Sequence, residues 1–154
     1  MSFPAPGHDH GHCTDQMLAR AENLCQRRSA RFTAQRREVL CCVAESHAAT
    51  GAYEVIERMA QRGPRPSPIT VYRALDFLLA HGLVHKIESL NAFVACNHAH
   101  DGAPAALLVC EACGNVLELD ASKTASLLAS QAIAQGFKPL RMVMELSGRC
   151  AACG

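Results

Sequence analysis

The segment SPITVYRALDFLLAHG, at residues 67–82, predicts one well-bounded helix. It opens with Ser67 at the N-cap and a proline at the first helical position, a combination that favours a helix start. Its apolar residues recur every three or four positions, so they share one face. Gly82 then ends the pattern, since glycine readily adopts the left-handed conformation that closes helices. We therefore predict a helix from Pro68 to His81.

The rest of this helix carries side chains suited to DNA. Thr70, Tyr72 and Arg73 lie at the edge of the apolar face or away from it, near the helix start. Arg73 can donate two hydrogen bonds to a guanine, and Tyr72 can contact a base or a phosphate. The pattern is typical of a recognition helix in a major groove, although many helix pairs share it.

The neighbouring segments complete a winged helix. Three helical patterns precede the segment, the first at about residues 15–28 and the second capped by Thr33. The third runs from Ala52 to about Gln61, and its spacing predicts that Tyr53 faces inward with Val55, Ile56 and Met59. Two alternating segments follow it, at residues 83–88 and 92–96, and predict a β-hairpin. Helices followed by such a hairpin indicate a winged helix-turn-helix domain over residues 15–96.

Two cysteine pairs dominate the second half of the chain. Cys110 and Cys113 form one CxxC motif, and Cys150 and Cys153 form another. Each motif places two thiolates on one tight turn, and two motifs complete the tetrahedral Cys₄ shell of a structural zinc. The alternatives are a redox dithiol, or cysteines that pack as small apolar residues. The long interval between the pairs leaves room for a strand, a helix and another strand, the last of them predicted from Phe137 to Leu146. We therefore predict a small α/β domain over residues 105–154.

Length and composition limit the class of protein. A chain of 154 residues holds one ordinary domain or two small ones. The polar segment 97–104, which contains glycine and proline, is the predicted hinge between two. No apolar run approaches the roughly 20 residues of a membrane span, and the N-terminus lacks a signal-peptide pattern. Nine cysteines in such a chain indicate thiols and metal ligands in a reducing cytoplasm rather than disulfides.

The net charge of +1 hides an uneven distribution. Residues 15–100 carry eleven Lys and Arg against eight Asp and Glu, whereas residues 101–154 carry four against five. Five arginines, including Arg36 and Arg37, fall within residues 27–37 without any acidic residue. Either a solvated helix face or a phosphate-facing surface would account for this cluster.

Residues 1–14 predict a disordered, histidine-rich tail, because their glycines, prolines and polar residues cannot bury a core. The tail alternates His8, His10 and His12 and then reaches Cys13. This set could bind metal weakly, or the histidines could be incidental.

Three parts of the sequence together resemble one known family. They are TVYRALDFLL at residues 70–79, GLVHKIES at residues 82–89, and the two CxxC motifs. The combination is similar to the ferric uptake regulator family, and within it most to the zinc uptake regulators, over about residues 15–154. The resemblance implies an α+β homodimer with a winged-helix domain and a C-terminal dimerisation domain that holds a structural Cys₄ zinc. It further implies a zinc-dependent repressor of zinc-uptake genes that binds palindromic double-stranded DNA, with no enzymatic activity and no membrane or small organic partner.

The same resemblance implies a second, regulatory zinc site. His85 in the predicted wing, Cys96 after the hairpin and Glu118 after the first CxxC motif match ligand positions of the family. The hinge is one residue shorter than expected of the nearest relatives and offers His98 or His100 as the fourth ligand, of which we predict His100. Two imidazoles, a thiolate and a carboxylate balance the charge of Zn²⁺ in a tetrahedral shell. The thiolate favours zinc over manganese or magnesium.

Other classes of function fit the sequence less well. A zinc enzyme would need an open ligand position and a nearby general base, and the sequence contains no HExxH motif. A CxxC redox protein would not bind zinc tightly. Within the family, an iron or peroxide sensor is the near alternative, which Cys96 disfavours.

Overall fold

The computed structural model describes residue 3, residues 10–96 and residues 103–154. Four helices fold together in the first half, and their apolar faces form one buried core. The caps follow the prediction: Thr33 Oγ1 accepts a hydrogen bond from the backbone N–H of Arg36 at 3.3 Å, and Ser67 is the N-cap of the fourth helix. The helices are α1 (His10–Arg27), α2 (Ala34–Ala44), α3 (Ala52–Ala60) and α4 (Pro68–Ala80).

Helix α1 begins earlier than predicted. The sequence predicts a disordered tail to residue 14 and a helix from about Asp15, whereas α1 begins at His10. Cys13 is the one apolar residue between positions 10 and 16 of the sequence, and a single residue establishes no periodicity, so the pattern gives no signal before Met17. From Met17 onward the buried side chains of α1 recur at helical spacing and pack into the core; they are Met17, Leu18, Ala21 and Cys25. His8 and most of the predicted tail lie outside the described residues.

A three-stranded antiparallel sheet, with one strand between α2 and α3 and two after α4, forms the wing. Its strands are β1 (Thr50–Gly51), β2 (Val84–Ile87) and β3 (Ala92–Ala95), in the order β1-β3-β2. A single 3₁₀ turn at Glu88–Leu90 and the left-handed Asn91, with φ of 46°, join β2 to β3. This is the predicted hairpin, with one strand added. Strand β1 has only two residues, too few to give an alternating pattern.

The second half forms a separate sheet with one helix. Its elements are β4 (Ala105–Cys110), β5 (Val116–Asp120), α5 (Ser122–Ala134) and β6 (Glu145–Gly148). The strand order is β5-β4-β6, with β5 antiparallel and β6 parallel to β4. The last strand is shorter than the sequence predicts: only residues 145–148 pair, and the predicted start at Phe137 is exposed coil. Pro139 in that stretch lacks the N–H that a paired strand needs.

The two sheets share a small apolar cluster and backbone hydrogen bonds. Ile87 and Val94 of the wing pack with Leu107, Val109 and Val116 of the second sheet. The backbone of residues 47–49 also pairs with residues 114–116, for example through the Val116 N–H and the His47 carbonyl at 2.9 Å. The wing is therefore held against the second sheet along a continuous contact.

Several large apolar side chains remain exposed. Tyr53 was predicted to face inward, but its side chain is 66% exposed. The buried face of α3 consists instead of Ala52, Val55, Ile56 and Met59. Around α5 and the segment after it, five apolar residues are half or more exposed: Leu127, Leu128, Ile133, Phe137 and Leu140. Among the described residues, none of the helices is both long and apolar enough to cross a bilayer.

Candidate metal centres

The two CxxC motifs meet at one end of the second sheet. Cys110 ends β4 and Cys150 follows β6, and because these strands are parallel, their C-terminal ends lie side by side. All four cysteine sulfurs lie within 4.8 Å of one another, and the sulfurs of Cys113 and Cys150 are 3.8 Å apart. Four sulfurs at the usual distance from one tetrahedral zinc ion are about 3.8 Å apart, so the cluster fits that metal.

Tight turns shape each motif. Gly114 closes the first turn with a left-handed φ of 73°, and its N–H donates to the Cys110 carbonyl at 2.8 Å. In the second turn the Cys153 N–H donates to the Cys150 carbonyl at 2.9 Å. Both turns bring the second cysteine of the motif back beside the first, which explains why two residues separate the ligands.

The thiols of this cluster influence one another strongly. Hydrogen bonds from the backbone N–H groups of Cys150 and Cys113 lower the pKa of the Cys110 thiol to about 6. Hydrogen bonds with the Cys150 and Cys113 side chains raise the pKa of Cys153 to about 12. The four groups cannot all ionise together unless a cation compensates their charge. A redox dithiol would need only one pair, so the convergence of two pairs favours a metal site.

A second cluster joins the wing to the second sheet. His85 lies on β2, Cys96 directly follows β3, and Glu118 lies on β5. The His85 Nε2 atom is 2.7 Å from Glu118 Oε1, and the Cys96 sulfur is 3.7 Å from the same oxygen. The three ligand atoms lie within 4.8 Å of one another, and the Cys96 and Glu118 side chains are buried. The structure thus brings together three of the four predicted regulatory ligands.

The geometry of this second cluster fits a metal after a small adjustment. Two nitrogen or oxygen ligands of one tetrahedral zinc ion are about 3.3 Å apart. The 2.7 Å contact of His85 with Glu118 is a hydrogen bond, so these two groups would have to separate slightly around an ion. The fourth predicted ligand, His100, and its alternative His98 lie outside the described residues.

The ionisation of His85 depends on these neighbours. Burial lowers its pKa, but hydrogen bonds with Cys96 and Glu118 and the charges of both groups outweigh burial and raise the pKa to about 9. Glu118 is a carboxylate 7% exposed, and a positive partner is what a buried carboxylate requires. The cluster therefore attracts positive charge, whether from a protonated imidazole or from a metal ion.

The residues predicted to contact DNA divide into two groups. On α4, Tyr72 and Arg73 are exposed, while Thr70 is half-buried, with its hydroxyl 2.7 Å from that of Ser67. These residues lie near the start of the helix, where a groove-binding helix presents its side chains.

The two arginines of α2 have partners within the chain. Arg36 is half-buried, with its guanidinium carbon 3.6 Å from the ring centre of Phe77. Arg37 is exposed and forms an ion pair with Glu22 of α1. Arg37 can turn toward a phosphate by exchanging one weak surface pair for another, whereas Arg36 would also lose its packing.

The sequence pointed to no role for Arg20. Its guanidinium donates to the Cys96 carbonyl at 3.0 Å and to the Cys96 sulfur at 3.5 Å. The two residues are 76 positions apart, and Arg20 stands outside the arginine cluster at residues 27–37. Only an expectation that α1 folds back over the end of β3 could have identified this contact.

Comparison with known proteins assigns a family. The family model for the ferric uptake regulator family matches residues 27–147. The zinc uptake regulation protein of Escherichia coli (strain K12) is 40% identical to this chain over 142 residues, which cover 91% of this chain and 82% of that protein.

Solved structures agree with this assignment. A zinc uptake regulator complexed with zinc and DNA superposes with a TM-score of 0.85 at 38% identity, covering 90% of this chain and 93% of that one. Holo XcZur superposes with a TM-score of 0.82 at 38% identity, covering 89% and 96%. Apo XcZur gives a TM-score of only 0.54 at 36% identity, covering 92% and 98%. The arrangement of this chain therefore resembles the holo form of that protein more than its apo form.

Proposed function

Because this chain belongs to the ferric uptake regulator family, whose members regulate transcription and are not enzymes, we propose that it is a zinc-responsive repressor of zinc-uptake genes. The observation that carries the proposal is the cluster of His85, Cys96 and Glu118, whose ligand atoms lie within 4.8 Å of one another. These residues come from β2, the end of β3 and β5, so a metal bound there would join the wing to the second sheet.

We infer two zinc ions per protomer. Cys110, Cys113, Cys150 and Cys153 would hold a structural zinc, because four thiolates make a closed shell with no open position for chemistry. His85, Cys96 and Glu118 would hold a regulatory zinc, with His100 as the fourth ligand and His98 as its alternative. The Cys96 thiolate is the group in this set that favours zinc over a harder ion. An iron or peroxide sensor is therefore the less favoured alternative.

The regulatory site would act by shifting a population of conformations. All three described ligands must be close together to hold an ion, so zinc binds the closed arrangement more tightly than an open one. The closer similarity to holo than to apo XcZur supports this mechanism, since these are two forms of one relative. His85 thereby fixes the position of the wing, and with it that of α4.

DNA recognition would use two copies of α4. The exposed apolar residues around α5, including Leu127, Ile133 and Phe137, would be covered by a second copy of this chain. A two-fold dimer presents two recognition helices, and fixing their separation matches them to successive major grooves of a palindrome. Tyr72 and Arg73 would contact bases, with Thr70, Arg36 and Arg37 near the phosphates. Such a repressor would act in the cytoplasm, where its operator DNA lies.

The decisive experiment compares Cys96→Ser with Cys41→Ser. Both remove one thiol, but Cys41 is a half-buried residue of α2 away from either cluster, so it controls for the loss of a cysteine. We would select a DNA duplex from random sequence with wild-type protein, and then measure its binding at buffered free zinc while counting zinc per protomer.

We expect Cys96→Ser to keep the dimer and one zinc ion per protomer but to lose zinc-dependent binding. A serine hydroxyl stays protonated near neutral pH and is a poor zinc ligand, whereas Cys41→Ser should resemble wild type. A Cys96→Ser protein with two zinc ions and a normal zinc response would contradict the proposal. A severe effect of His98→Ala beside a silent His100→Ala would keep the mechanism and reassign the fourth ligand.

A further inference from the structure

Arg20 connects three parts of the first half at one point. This half-buried residue of α1 donates to the Cys96 carbonyl at 3.0 Å and to the Cys96 sulfur at 3.5 Å. The same guanidinium reaches the carbonyl of Gly82 at 3.4 Å, directly after the end of α4. One side chain thus touches a candidate metal ligand and the end of the candidate recognition helix.

The packing of α1 explains how Arg20 reaches this point. Met17 and Ala21, one turn before it and one residue after it, are buried in the core. The Arg20 stem therefore starts at the edge of the apolar face, and such stems commonly run along apolar surface while the charged group reaches polar partners. The Cys96 N–H donates to the Leu83 carbonyl at 3.0 Å, so the acceptors of Arg20 are themselves held in place.

The chemistry of the contact points to more than surface pairing. A guanidinium offers several N–H donors in a rigid plane, so it can bind the carbonyl and the sulfur of one residue together. A thiolate retains lone pairs that can accept a hydrogen bond, and outer partners of this kind orient metal ligands. Glu118 lies on the other side of the Cys96 sulfur, at 3.7 Å, so the sulfur is held between a cation and a carboxylate.

We propose that Arg20 is a positioning residue of the regulatory zinc site, which holds Cys96 in its ligand orientation and links that site to the end of α4 through Gly82. This inference rests on the proposed function, because it requires Cys96 to be a ligand. Two simpler roles would leave zinc binding unchanged. Arg20 could serve only to satisfy backbone carbonyls, or it could contact DNA phosphate.

The test replaces Arg20 with methionine, which keeps an apolar stem and removes every donor. Arg28→Met is the matched control, because Arg28 directly follows the same helix and donates instead to the His81 carbonyl, at 3.4 Å. The full-length dimer is titrated with zinc against a chelating indicator, after its tightly bound zinc has been counted. Thermal unfolding and DNA binding at saturating zinc, over a range of salt, are measured alongside.

We expect Arg20→Met to raise the free zinc needed to half-fill the regulatory site by about 10–100-fold, the usual effect of removing an outer partner of a ligand. The free zinc needed by Arg20→Lys should lie between the values for wild type and Arg20→Met, because one ammonium cannot reproduce the planar arrangement of donors in a guanidinium. The tightly bound zinc and the Arg28→Met midpoint should stay as in wild type. If Arg20→Met does not fold, the zinc midpoint of Arg20→Lys tests the inference in its place.

Two results would overturn the inference. One is a wild-type zinc midpoint in Arg20→Met with a lower thermal midpoint, which would mean a purely structural role. The other is a wild-type zinc midpoint with weaker DNA binding and a smaller salt dependence, which would mean a phosphate contact. Cys96→Ser, measured in parallel, shows whether the Arg20 inference alone is wrong or the proposed regulatory zinc site is wrong as well. If that variant loses the regulatory zinc while Arg20→Met binds normally, only the role of Arg20 is wrong.

Discussion

The Nε2 atom of His85 and the Oε1 atom of Glu118 lie 2.7 Å apart, and this contact joins the wing to the second sheet. Burial lowers the pKa of His85, yet its hydrogen bonds with Cys96 and Glu118 prevail and raise it from 6.5 to about 9. The metal-free protein therefore holds a protonated imidazole at this contact near neutral pH.

Stability of the metal-free regulatory site should fall at alkaline pH. The folded-state pKa of His85 exceeds its ordinary value, so the contacts of the protonated imidazole with Cys96 and Glu118 stabilise the fold. That contribution is complete below about pH 6.5 and is lost as the pH rises through about 9. Urea unfolding of protein without regulatory zinc should show this loss between those values. Glu118→Gln removes the charged partner and should flatten the profile. An equal decline in both proteins would contradict the assignment.

Zinc uptake at the regulatory site should displace protons. Zinc binds the neutral imidazole, so a protonated His85 must release its proton when the ion binds. The apparent zinc affinity should therefore rise with pH up to about 9, the pKa of His85. Chelator competition at pH 6.5, 7.5 and 8.5 measures this dependence, and a flat profile would argue against His85 as a ligand.

The Cys₄ cluster should be required for folding. Cys110→Ser or Cys153→Ser should give insoluble or monomeric protein, since a structural zinc contributes folding free energy directly. Cys41→Ser is the control, because it removes a thiol from α2 and leaves the cluster intact. Solubility, oligomeric state and zinc content measure the outcome. A soluble, dimeric Cys113→Ser protein that still binds the selected DNA would count against a structural role.

Arg73 should determine sequence preference. Arg73→Ala should weaken binding to the selected duplex by about 1–3 kcal/mol and relax specificity at one base position. Arg37→Ala should weaken all sequences similarly and lower the salt dependence of binding, as expected for a phosphate contact. Arg65→Ala is the control, because this exposed arginine precedes α4 and is paired with Glu57. If Arg73→Ala and Arg65→Ala bind alike at fixed salt, α4 is not the recognition helix.

Glu145 should stabilise the turn between β2 and β3, at Glu88–Leu90, independently of zinc. Its carboxylate accepts hydrogen bonds from the backbone N–H groups of Glu88 at 2.6 Å and of Ser89 at 3.1 Å, while Arg141 pairs with the Glu88 side chain. Glu145→Ala should therefore speed amide exchange at Glu88 and Ser89. Glu111→Ala, which removes an exposed carboxylate from the first CxxC turn, should not. Unchanged exchange in Glu145→Ala would show that other contacts hold the turn.

Local patterns in the sequence predicted much of this fold. Thr33 and Ser67 occupy the N-cap positions predicted for them, because a helix start depends on residues within one turn, and Thr33 also accepts the capping hydrogen bond. The two CxxC motifs likewise predicted one cluster, since their spacing reflects the geometry of each turn. Tyr53 was placed wrongly because it neighbours the buried stripe of α3, and periodicity resolves the edge of a stripe poorly.

Features that depend on distant partners could not be predicted. Strand β6 was expected to start at Phe137, yet its length is set by its pairing with β4, where Leu107 faces Glu145. The two-residue β1 exists only because β3 lies beside it. Arg20 and Glu145 act across 76 and 57 positions, and no local pattern marks either contact. The family resemblance supplied His85, Cys96 and Glu118, which spacing alone would not have grouped.

The parallel pairing of β4 with β6 has a consequence for synthesis on the ribosome. The four helices and the wing are made first, and the strand pairings within the wing sheet need no later residue, so the winged helix can begin to fold before its contacts with the second sheet exist. The second sheet must wait, because β6 follows β4 only after β5 and α5. During that interval Cys110 and Cys113 have emerged without their partners. The nascent chain therefore passes through a stage in which half of a metal site is exposed to the cell's zinc and oxidants.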